Sequence, residues 1–197
     1  MRLNKKGFSY VEVILVIAML VALGATAVGG FSTLFNARAS SAVSNLEAMM
    51  SQSKINSLSG DPNYLRVVIK NDPLDGKQAF FAELYHTVKE GGVTREVCYK
   101  EQKLGNTQLT FKVNYGSNSF VLDKDNTDKI IEIKFNEKTG AVKYAGVWTP
   151  ENHPDTPEKI ASKANSTPNI MYINVKFANE YTITLWKLTG EHNSESV

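Results

Sequence analysis

A single carboxylate, Glu12, stands near the start of a long apolar run that extends from Phe8 to Phe31, and this constrains the chain more than any other feature. An acidic side chain at depth in a bilayer costs roughly 2.5 to 3.5 kcal/mol on insertion scales, so a carboxylate in such a segment calls for a partner. The run is long enough to matter. As a helix rising ~1.5 Å per residue it reaches about 36 Å, which spans a ~30 Å hydrocarbon core with some tilt. Arg2, Lys5 and Lys6 precede it. Their positive charge favours the cytoplasmic side for that end and the outside for the C-terminal bulk.

The order of these residues, Lys5-Lys6-Gly7-Phe8, then Glu12, then the apolar stretch Val13-Ile14-Leu15-Val16-Ile17-Ala18-Met19-Leu20, resembles the type IV prepilin signal shared by pilins and the pseudopilins of type II secretion. The resemblance implies that a membrane-bound prepilin peptidase cuts between Gly7 and Phe8 and methylates the new N-terminal Phe8. It places Glu12 fifth in the processed chain, one helical turn from the new amine, where the amine of a neighbouring copy can neutralise it. Two other readings stand beside this one. An ordinary secretory signal also has a basic start and an apolar core, and Ala25-Thr26-Ala27 would serve as its cleavage box; Glu12 and the length of the run weigh against it. A plain membrane anchor is the other.

Composition bounds the remainder. Past the leader and the apolar run, the 197-residue chain suits one small globular head. The formal charge of +2 includes the three basic residues of the leader, so the processed chain is close to neutral. No basic excess announces a nucleic-acid surface. The one cysteine, Cys98, excludes an internal disulfide and departs from the disulfide that many members of the family carry near the C terminus. Its place in Val97-Cys98-Tyr99 suggests a buried small hydrophobe on a strand.

Beyond the apolar run, Phe35, Ala39, Ala42, Leu46, Met49 and Ser53 recur at steps of three and four, which predicts an amphipathic helix continuing to Ser59, with Gly60 as its cap and Pro62 beyond it. Gly24, Gly29 and Gly30 each weaken helix by about 1 kcal/mol. The family commonly carries a helix-breaking proline in this region. Here the Gly29-Gly30 pair is the candidate flexible spot, close packing between helices being the other reading.

After Pro62 the periodicity changes to two, with β-branched and aromatic residues between turn signals. Strands are expected over 64–70, 79–88, 93–101, 108–114, 119–122, 129–136, 141–148, 170–178 and 181–189. The Pro-rich stretch 149–169 reads as a long loop. The expected architecture is therefore α+β: a leader at 1–7, a transmembrane or filament-core helix at 8–31, its amphipathic continuation at 32–61, and a β-rich head at 62–197. In it a long N-terminal helical spine packs on an antiparallel β-sheet or β-sandwich.

The head carries no motif for chemistry. His86, His153 and His192 are scattered, and there is no metal-ligand spacing, phosphate loop or nucleophile elbow. Asp123, Asp125 and Asp128 only faintly resemble a calcium loop, lacking its glycine and final glutamate, and read as a solvated turn. Trp148, Trp186 and the phenylalanines fall in strands, where core is the default. The rhythm of 131–140, 172–177 and 181–190 resembles the ending of the H-class minor pseudopilins.

Together these readings predict a non-enzymatic pilin or minor pilin without a cofactor. Its implied partners are other pilin subunits, a prepilin peptidase, and a membrane assembly platform with its ATPase. It would be held in the cytoplasmic membrane by its N-terminal helix before entering a surface or periplasmic filament. The alternative is a membrane-tethered binding or adhesin module that does not polymerise.

Overall fold

The computed structural model describes residues 10–61, 63–90, 92–115, 118–148, 170–177, 179–186 and 189–196, without the side chains of 10–13, 18, 20–36, 90, 93, 94, 115, 118, 148 and 170. One helix, α1 (Tyr10–Leu58), is followed by ten strands. These are β1 (Asn63–Asn71), β2 (Gln78–Glu90), β3 (Val93–Asn106), β4 (Thr110–Tyr115), β5 (Asn118–Leu122), β6 (Ile130–Phe135), β7 (Val142–Trp148), β8 (Ile170–Lys176), β9 (Glu180–Trp186) and β10 (His192–Ser196). They form two five-stranded sheets, ordered β3-β2-β1-β6-β7 and β10-β9-β8-β4-β5. All pairings are antiparallel.

The expected α+β class, with a long helical spine packed on the sheet, is corrected by this arrangement. The fold is mostly β, and what packs on the sheets is the segment of α1 from Ala39 to Ser57 rather than a long spine. Ala39, Ala42, Val43, Leu46, Met49, Met50, Ser53 and Ser57 are buried, whereas Ile14, Leu15, Val16, Ile17 and Met19 are exposed. The physical reason lies in the sheets. Their inner faces close on one another, with the rings of Phe80 and Phe111 at 4.6 Å between centroids, and only part of the apolar surface remains for a helix to cover. Among the described residues no helix is long and apolar enough to cross a membrane.

Alternation builds the core. On β1, Leu65 and Val67 are buried toward the helix and the second sheet, and on β6 so are Ile131, Ile133 and Phe135. The second sheet answers with Phe111, Val113, Ile173, Val175, Ile183 and Leu185. Helix α1 ends as its sequence foretells: Gly60 takes a φ of 84°, its amide donates to the Ser57 carbonyl at 3.1 Å, and the Asp61 amide donates to that of Asn56 at 3.1 Å. This is the paired closure of a Schellman cap, which a left-handed glycine permits. Gly190, at φ 62°, sits against the Gly140 carbonyl so closely that a Cβ there would lie 2.1 Å from its oxygen. A side chain on Gly190 would force the two turns apart.

Candidate functional site

The side of the first sheet turned away from the core carries the densest constellation of ionisable groups. It arises from the same alternation that buries Leu65 and Val67, because Tyr64, Arg66 and Lys70 must then project from the opposite face. Register supplies their neighbours. Tyr64 pairs with Tyr85 and Lys134, and Arg66 with Glu83 and Glu132. Arg66 Nε donates to Glu132 Oε2 at 2.8 Å and its Nη1 lies 3.0 Å from Glu96 Oε2. Its guanidinium carbon stands 4.7 Å from the centroids of both the Tyr64 and Tyr85 rings, which are themselves stacked at 5.5 Å and nearly parallel.

A second knot adjoins it. Lys70 bridges Glu83 and Glu101, and the Tyr85 hydroxyl donates to Glu83 Oε2 at 2.7 Å. Lys103 pairs with Asp72 at the end of the β1–β2 hairpin. Burial opposes the charge on Arg66, but the Glu132 carboxylate outweighs it and holds the guanidinium firmly protonated. Burial pushes the Tyr64 and Tyr85 phenols up, reinforced by Glu96 and Glu83 respectively. Burial and the like charge of Lys143 pull Lys134 down.

In this constellation Arg66, Lys70 and Lys103 are each paired with carboxylates, while Lys134 stands over the Tyr64 ring at 5.8 Å from its centroid. Among the described residues no group of three or more His, Cys, Asp or Glu is placed to hold a metal ion. The cluster ties β1, β2, β3 and β6 together. Its role in the fold is cohesion across a face that alternation alone would leave wet.

Of the residues singled out in the sequence, Gly7, Phe8 and the loop 149–169 lie outside the described residues. Glu12, Gly24, Gly29 and Gly30 all fall in α1, whose helical backbone is continuous through the Gly29-Gly30 pair. Cys98 lies on β3 as expected but is exposed, not buried; β3 is an edge strand. Partial burial of the sulfur still pushes its thiol up. Asp123 closes a turn between β5 and β6: its Oδ1 accepts from the Asp125 amide at 3.0 Å and from Asn126 Nδ2 at 2.8 Å. His86 stacks on Tyr99, with ring centroids 5.1 Å apart.

Sequence reasoning missed two features. The Arg66 knot left no signal because charged residues alternating along a strand look like a solvated face. The contact of the helix with His192 is the other. Its Nε2 lies 3.1 Å from Ser51 Oγ and 3.2 Å from the Glu47 carbonyl oxygen, anchoring β10 to α1.

No family model, curated protein or solved structure matches this chain.

Proposed function

We propose that this chain is a structural subunit of a type IV pilus-like or type II secretion-like filament, a pilin or minor pilin assembled through its N-terminal helix. The observation that supports it most is the state of the apolar segment behind Glu12. Ile14, Leu15, Val16 and Ile17 are each about half exposed, and four consecutive residues at ~100° spacing point to every side of a helix. A helix that is apolar all round needs an apolar surrounding, which the head of the same molecule does not provide. A membrane supplies that surrounding before assembly, and the helices of other subunits supply it afterwards.

In this reading the chain is cut between Gly7 and Phe8 and held in the membrane until an assembly platform and its ATPase extract it. Burial of helix against helix drives association, and heterologous contacts repeated along a screw axis give an open fibre rather than a closed ring. Glu12 sets the register. An unpaired carboxylate in an apolar core is costly, so a subunit is accepted where its Glu12 meets the Phe8 amine of the one before it.

The test is a Glu12→Val variant expressed beside the wild-type chain in cells that make the filament. The expected result is a processed variant retained in the membrane fraction and missing from sheared filaments. Entry into filaments as efficient as wild type would overturn the role of Glu12, and absence of the wild-type chain itself from filaments would favour a tether that does not polymerise.

A further inference from the structure

The second sheet buries one face and leaves the other to solvent, and the register of its strands writes an uncharged row across that open face. Asn193 of β10 pairs with Thr184 of β9, Thr184 with Tyr172 of β8, Tyr172 with Asn114 of β4, and Asn114 with Ser119 of β5. Direct cross-strand partners share a face, and Met171, Ile173, Ile183 and Leu185 occupy the buried one. At ~4.8 Å between strands the row runs about 19 Å. Trp186, diagonal to Tyr172, extends it by a second aromatic ring; such diagonal neighbours stand ~7–8 Å apart.

Both rings are exposed, Tyr172 at 41% and Trp186 at 37%, on a chain whose Phe80, Phe111 and Phe135 are fully buried. The amides beside them are already oriented. Asn114 Nδ2 donates to Asn174 Oδ1 at 3.2 Å, and Asn174 Nδ2 donates to Glu180 Oε1 at 2.7 Å and Thr182 Oγ1 at 3.1 Å. Groups fixed in advance lose less freedom on binding.

Charge complementarity selects the occupant. The central row itself has no charge to offer an ionic partner; Lys112, Lys176, Glu180 and Glu195 share the face but lie off the row. An apolar protein surface would bury the row's amides and hydroxyls without partners. A polymer of neutral sugars meets both demands: its C–H faces lie on aromatic rings, and its hydroxyls give and accept hydrogen bonds, as Asn, Thr and Ser side chains do. We infer that the open face of the second sheet is a binding platform for a neutral polysaccharide, gripped by Trp186 and Tyr172. The inference stands independently of the filament reading, since the platform would bind whether or not the chain polymerises.

Affinity electrophoresis of the full chain in mild detergent tests it, with soluble starch, hydroxyethyl cellulose or galactomannan cast in native gels and alginate as the anionic control. Retardation is expected in at least one neutral gel. Trp186→Ala and Tyr172→Ala should each weaken the apparent affinity at least tenfold while leaving the melting temperature within a few degrees, and Trp186→Phe, which keeps a ring, should retain part of it. Migration unchanged in all three neutral gels, retardation by alginate alone, or retardation indifferent to the two alanine substitutions would overturn the inference.

Discussion

Arg66 on β1 donates through Nε to Glu132 on β6 at 2.8 Å, across 66 residues of sequence, and both side chains are nearly lost to solvent, at 11% and 1% exposure. Removing one member of such a pair leaves the other charged and buried, which costs about 3–5 kcal/mol, whereas replacing both by apolar groups is often neutral. Arg66→Met should therefore lower unfolding free energy by an amount in that range in a urea titration. Adding Glu132→Leu should recover most of the loss. A single variant that costs under about 1 kcal/mol would show that the pair does not hold β1 to β6.

Two leucines separate packing from mere hydrophobicity. Leu46 of α1 is fully buried in the core against the sheets, and Leu74 in the β1–β2 turn is 91% exposed. Leu46→Ala should destabilise by about 2–5 kcal/mol, and Leu74→Ala should stay within roughly 0.5 kcal/mol of wild type. Chemical denaturation of the two variants checks both. Equal effects would mean that α1 does not pack through this stripe.

Acid stability follows from two carboxylates. The Lys103 ammonium, helped by the Leu74 amide, holds Asp72 below the usual carboxylate range, and the Asn126 side chain does the same for Asp123. A carboxyl depressed on folding stabilises the native state above its unfolded value of ~4, and this stabilisation is lost as pH falls through the lower folded value. Unfolding free energy should accordingly drop as pH falls below ~4. In Asp72→Asn the drop should be shallower, and an identical pH profile for variant and wild type would contradict the assignment.

Local pattern carried much of the strand layout. The nine expected strands all appear, most within two residues of their ends, because each alternates apolar with polar residues between turn-forming ones. The tenth, β10, was illegible: His-Asn-Ser-Glu-Ser has no apolar alternation, and it is held by pairing with β9 and by His192 against Ser51. The mostly β class is not legible in the sequence, because the length of a helical pattern does not reveal how much of it a pair of closed sheets will cover. Nor could the sequence show that Arg66 would meet Glu132, since that contact depends on which strands become neighbours. Trp186 has the same strand context as Phe80 and Phe111, which are buried, and only the register of β8 on β9 sets it outside.

If the N-terminal segment is a prepilin signal leading a filament subunit, the mass of the mature N terminus reports it. Mass spectrometry of the chain recovered from cells should find it beginning at Phe8 and carrying a methyl group on that residue. A mature chain beginning at Val28, as an ordinary signal peptidase acting after Ala27 would leave it, would remove Glu12 and the apolar helix and contradict the account.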